Sequence, residues 1–126
     1  MAVRKSTASK NAAADAVVDR IDLGSLASYG SLKLSTFDST VITSHRLSNP
    51  SFADAVDGTS TANLIWDATA LLDATASLFD FYDRDGTWVW GGSATIADGG
   101  GELELNSISI PIDSTVSITS AKYIVP

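Results

Sequence analysis

The chain has 126 residues, no cysteine and a formal net charge of −7. Its length suits one domain with one core, and the lack of cysteine removes disulfide frameworks, thiolate zinc sites and cysteine nucleophiles. The acidity disfavours a globular body that grips nucleic acid.

The charge is uneven. Arg4, Lys5, Lys10 and Arg20 are half of the eight basic residues, and only Asp15 and Asp19 oppose them in that opening segment. A basic arm on an acidic body is the asymmetry to interpret. No window approaches the roughly 18 uninterrupted apolar residues of a membrane span. The basic start, Met1–Ser6, is not followed by an apolar stretch, so a secretory signal is not expected in this chain.

Met1–Ser9 reads as an arm without periodicity. A helix is expected from Ser9 as N-cap through Ile21, with Ala14, Val17, Val18 and Ile21 as its apolar stripe and Gly24 as its stop. At about three turns it is too short to stand alone in water. Its stripe should therefore dock, on its own sheet in preference to a neighbouring subunit.

From Leu26 the chain becomes a series of short strand candidates. These are residues 31–35, 41–48, 61–66, 77–82, 87–94, 102–105, 107–110, 116–119 and 122–125. Turn chemistry separates them at Asp38-Ser39, Asn49-Pro50, Asp57-Gly58, Asp98–Gly101 and Asp113-Ser114. Asp67–Ala76 could form a short helix by composition, but a loop or a crossover between sheets is the better fit. The stretch Ser77–Gly92 should be the centre of the core. It holds five of the ten aromatic residues, and alternation on both sides of Asp83–Gly86 marks a β-hairpin closed by a glycine at positive φ. Strict alternation there places Trp88 and Trp90 on one face, with Val89 on the other.

The expected fold is mostly β: an antiparallel β-sandwich, jelly-roll or Ig-like, over residues 25–126, preceded by a basic arm and one short helix over residues 1–24.

Each candidate for chemistry has a plainer reading beside it. His45 is the only histidine and sits mid-strand without nucleophile-elbow glycines, so a Ser-His-Asp triad is not expected. Asp80, Asp83, Asp85 and Gly86 suggest calcium superficially, but the EF-hand spacing is absent and the turn itself explains them. Glu102 and Glu104 read as the solvent side of a strand whose inner side is Leu103 and Leu105, in preference to a glycosidase pair. Asp98–Gly101 lacks the lysine and helix of a phosphate loop. Trp88 and Trp90 suit a core, a subunit interface or a platform for sugar rings, and their place on a central hairpin favours core or interface. No cofactor and no metal are expected.

Three stretches carry a resemblance: Asn11–Gly24; Leu47–Phe52 with Asp57–Asn63; and Leu103–Ile110 with Ser114–Ser120. Together they resemble small virion structural proteins of tailed bacteriophages and prophages. The likeness covers most of the chain and contains no catalytic motif. The turn after the first strand, Leu34–Thr40, is shorter than the family's, which has Gly and Pro there. The resemblance implies a capsid decoration protein, not an enzyme, on the virion surface and made in the host cytoplasm. Its partners would be the major capsid protein and copies of itself, a trimer being the natural capsid arrangement, with no nucleic acid and no membrane. Val3, Arg4, Lys5 and Lys10 would then touch the shell. A tail or head–tail component is the alternative within that class, and a carbohydrate-binding sandwich using Trp88 and Trp90 the alternative outside it.

Overall fold

The computed structural model describes residues 5–96 and 102–125. It opens with α1 (Thr7–Val18), continued by a 3-10 turn at Asp19–Asp22. The N-cap is Ser6, not Ser9. The Ser6 hydroxyl accepts from the Ser9 amide at 3.1 Å, so Ser9 occupies the third helical position of a cap that two nearby serines could equally have formed. Ala14, Val18 and Ile21 are buried and Val17 packs on the core, so the expected stripe is real and docks on the protein's own sheet.

The helix is also lashed by its polar side. Asn11, Asp15 and Asp22 side chains accept the backbone N–H groups of Gly58 (2.8 Å), Ala55 (2.8 Å) and Ser51 (3.0 Å). Gly24 lies directly after the C-cap, at the expected end of the helical segment. Leu23 is the C-cap, in an extended conformation, and Gly24 sits at φ +130° against the side chains of Arg84 and Asp85, where any Cβ would collide.

The strands are β1 (Ser31–Ser35), β2 (Val41–Arg46), β3 (Thr59–Thr61), β4 (Ala68–Thr69), β5 (Ala74–Thr75), β6 (Leu78–Tyr82), β7 (Trp88–Ile96), β8 (Leu103–Leu105), β9 (Ser109–Ile110), β10 (Thr115–Val116) and β11 (Ile118–Ile124). Seven form one sheet in the order β2-β1-β6-β7-β8-β11-β3, and β10-β4 and β5-β9 are two-stranded ribbons. The mostly-β class with one short helix is therefore what the chain adopts. Asp67–Ala76 is not a helix and supplies β4 and β5.

One pairing departs from expectation: β7 and β8 run parallel, Ala94 opposite Leu103 and Ile96 opposite Leu105. Only residues 97–102 connect them, far less than the crossover that usually links parallel neighbours. Turn residues mark where a chain bends but not the direction in which it pairs afterwards. The glycine-rich stretch Asp98–Gly101 belongs to that connection and lies outside the described residues.

The register of the four strands β2, β1, β6 and β7 sorts side chains into two faces. One row across the inner face is His45–Leu32–Phe81–Trp90, and the next is Thr43–Leu34–Phe79–Gly92. Phe81 stacks on Trp90 with ring centroids 4.9 Å apart, and Phe52, Phe79 and Tyr123 meet Trp90 edge-on. Val18, Ile21, Ala70, Ala76, Ile110 and Val116 join the same core, so the helix and both ribbons supply its second side.

A bulge lies between Phe81 and Tyr82, where Trp90 pairs with Phe81 but Trp88 pairs with Tyr82, leaving Val89 as the extra residue. This corrects the expectation that Trp88 and Trp90 share a face. Trp90 is 7% exposed and Trp88 is 60% exposed. Replacing Trp90 by Ala should therefore cost about 3–5 kcal/mol of unfolding free energy. Trp88→Ala should change it by no more than about 0.5 kcal/mol. Urea titrations of the two variants check this, and equal losses would contradict the bulge.

Candidate functional site

The groups that sequence singles out for chemistry are committed to structure. His45 is buried on the inner face. Its Nδ1 lies 2.8 Å from the Trp66 carbonyl, which only accepts, so Nδ1 carries the proton. Nε2 then accepts from the Thr43 hydroxyl at 2.8 Å. Burial pushes the imidazole below its usual 6.5, and the Trp66 carbonyl and the charge of Asp67 oppose this less strongly.

Asp83 Oδ1 accepts the amides of Asp85 and Thr87, both at 2.9 Å, and closes the hairpin with Gly86 at φ +82° as expected. Asp85 Oδ1 accepts the amides of Ser25 and Leu26, both at 2.8 Å, and these bonds lower its pKa. The acidic turn is thus a hairpin cap and a staple to the segment after the helix. Leu103 and Leu105 are fully buried on β8, while Glu102 is exposed and Glu104 half-buried, as the alternation implies. Among the described residues no three His, Asp or Glu side chains gather as a metal site would require.

Of the expected contact residues, Val3 and Arg4 lie outside the described residues. Lys5 is exposed ahead of the N-cap. Lys10 is exposed on α1, and its aliphatic stem lies over the Gly58 turn. The structure separates Trp88 from Trp90, so the pair forms neither a joint interface nor a joint sugar platform. The bulge is the reason.

Two surfaces remain that reading the sequence did not anticipate. The first is the outer face of the sheet. Here one row runs Arg46–Ser31–Tyr82–Trp88 and the next Ser44–Lys33–Asp80–Gly91. The Trp88 Nε1–H donates to Asp80 Oδ1 at 2.8 Å. Asp80 can lie there because Gly91 has no side chain; a Cβ would run into the Asp80 carboxylate and the Phe79 carbonyl. The Lys33 ammonium sits 4.9 Å from the centroid of Tyr82, whose phenol is held above its ordinary pKa by burial and by the charge of Asp80. The Arg46 guanidinium lies 3.7 Å from the centroid of Tyr29 and 4.4 Å from that of Trp66. Trp66 is fixed in turn by its amide, which donates to the Arg46 carbonyl at 3.0 Å, and by His45 at its own carbonyl.

The second surface is the opposite end of the sheet, at the β1–β2 hairpin tip. The Asp38 carboxylate accepts from the hydroxyls of Thr36 and Thr40, and these bonds hold its pKa below the usual value. Phe37 projects from this braced turn and is 84% exposed. Beside it lies an open groove of about 580 Å³, lined by Thr36, Phe37, Asp38, Leu72, Asp73 and Thr75 among others. Leu71 and Ile112, both exposed, belong to the same end, for the Leu71 amide bonds to Ile42 and the Ile112 amide to Asp73. The signal available in sequence was Phe37 within a turn, flanked by Thr36 and Asp38.

No protein-family model, no curated protein and no solved structure matches the chain.

His45 yields a pH dependence. Unfolded, its imidazole titrates near 6.5; folded, below that. The unfolded chain therefore binds more protons in between, so stability is full above about pH 6.5 and falls as pH is lowered through the folded value. Urea unfolding followed from about pH 7 to pH 5 should show this decline, and His45→Gln should flatten it over that window. An unchanged slope in the variant would assign the effect elsewhere.

Proposed function

We propose that the chain is a structural protein of a bacteriophage virion and not an enzyme, acting as a capsid decoration protein that binds the outer shell and stabilises the head. The observation that carries this reading is Phe37, a bare aromatic side chain on a turn already braced by Asp38. Burying one such side chain contributes about 1.5–3 kcal/mol, and a preorganised tip loses little freedom in doing so. With Leu71 and Ile112 at the same end, it has the composition of an anchor for another protein's apolar pocket.

Repeated over a lattice, many such modest contacts add through multivalency. The histidine and the acidic turn, the natural starting points for an enzymatic reading, are occupied in holding the fold. The partners in this reading are the major capsid protein and further copies of this chain, arranged as a homotrimer. The basic arm, Val3, Arg4 and Lys5 with Lys10 behind it, would meet the acidic surface of the shell.

The test is co-sedimentation with empty capsid shells from the phage or prophage that carries the gene. A deletion of residues 1–5 spares the Ser6 cap and so leaves α1 intact, which a longer cut would not. Saturable binding by the full chain is expected, with loss on deletion of residues 1–5 and a drop of about tenfold for Phe37→Ser. Failure of the full chain to bind would overturn the decoration reading and direct the same assay to tails.

A further inference from the structure

The arm ahead of α1 and the groove beside Phe37 carry opposite charges. Before Asp15 the sequence has Arg4, Lys5 and Lys10 and no acidic residue. The groove has apolar walls from Phe37, Leu72 and Ala74, and among the described residues the charged side chains that line it are two carboxylates, Asp38 and Asp73. Both keep their charge while accepting hydrogen bonds. Asp38 accepts from Thr36 and Thr40, which favours its ionised form, and Asp73 accepts the Ile112 amide at 2.7 Å. An apolar residue followed by a cation, as in Val3-Arg4, matches both features of this groove.

Arm and groove belong to opposite ends of the sheet. The helical segment sits at the end where β1 begins. There Ile21 lies against Gly30, just ahead of β1, and Asn11 and Lys10 lie on the Gly58 turn, whose carbonyl accepts from Val125 past the end of β11. Phe37 follows the other end of β1. That strand alone spans about 16 Å, whereas the three steps from Val3 to Ser6 reach about 10 Å when fully extended. A chain's own Val3 and Arg4 therefore fall short of its own groove.

We propose that the groove of one copy receives the N-terminal arm of a second copy, with Val3 on the apolar wall and Arg4 meeting the carboxylates of Asp38 and Asp73. Each copy gives one arm and takes one. Such a head-to-tail contact closes into a ring or runs on as a filament. It also covers Phe37, the most exposed large apolar side chain of the described residues. Other occupants fit less well. A nucleic acid would bring phosphates to two carboxylates, and an uncharged apolar peptide would cover those carboxylates without pairing them. The contact concerns the protein away from any shell and stands whether or not the chain decorates one. A shell would draw on the same arm and the same tip, so the two associations compete.

Sedimentation velocity of the full-length protein, without shells, should be run over a range of concentrations at about 50 mM and about 1 M salt. Association that rises with concentration and weakens about tenfold or more at the higher salt is expected. Deleting residues 1–5 removes the arm and spares the Ser6 cap, and Phe37→Arg places a cation beside the groove at an exposed position. Each variant alone is expected to be monomeric. Mixed, they should form a one-to-one pair, because one supplies the groove and the other the arm. A full-length protein still monomeric at about 1 mM, self-association that survives the deletion, or a mixture that stays monomeric would each overturn the proposal. Co-sedimentation with shells is a separate measurement, so failure of either reading leaves the other standing.

Discussion

The bulge in the central hairpin sets the chemistry of both sheet faces. Across it one strand spends a single residue, Phe81 to Tyr82, while its partner spends two, and Val89 absorbs the difference. Without the bulge, with Val89 in regular register, strict alternation would send both indoles to the same side. The core would then have to hold a second tryptophan, or the outer face would lose its largest ring. With it, Trp90 lies against Phe81, Phe79, Phe52 and Tyr123, and Trp88 reaches Asp80 on the solvent side. Gly91 and Gly92 fit the same arrangement. One leaves room for the Asp80 carboxylate, and the other for the Phe79 ring on the inner face.

Around that hairpin the fold is fastened by carboxylates, one carboxamide and one imidazole bonded to backbone. Asn11, Asp15 and Asp22 lash the helix to the loop over residues 51–58; Asp85 holds the start of the segment after the helix; Asp73 holds Ile112; and His45 holds Trp66. These segments have few ladder bonds of their own, and β3, β4, β5, β9 and β10 are only two or three residues long. Side-chain acceptors satisfy loop amides that short strands leave without ladder partners. Much of the acidity that reads in sequence as surface charge is therefore internal bracing. The aspartates crowd one another where they gather on the helix. Asp19, partly desolvated and near Asp15, Asp22 and Asp54, has a raised pKa.

What the sequence made legible follows from this division. Hydrophobic periodicity located the helix stripe, β1, β6 and β8 to within a residue or two, because a buried face imposes its period on the chain. It could not show the bulge, since an inserted residue leaves each half of β7 looking perfectly alternating. Nor could it show that β8 runs parallel to β7. Both are properties of pairing, and pairing depends on the partner strand. The site suffered most from this. Trp88 and Trp90 were read as a unit for want of one register shift. Arg46, Tyr29 and Trp66, far apart in sequence, had no local signal to join them. Phe37 was visible only as an aromatic residue in a turn.

The two surfaces differ in kind because different parts of the sheet make them. The tip holding Phe37 lies beyond the last rung of β1 and β2, where the chain is free to present an apolar side chain without disturbing any pairing. The ring-lined outer face lies on rungs of the sheet itself, and its side chains take their spacing from the strands. A rigid sheet with Trp90 at its centre can carry both, because neither surface draws on the inner row of His45, Leu32, Phe81 and Trp90 for anything but support. His45 joins the core to the Arg46 cluster through the Trp66 carbonyl, for Trp66 lies against the Arg46 guanidinium.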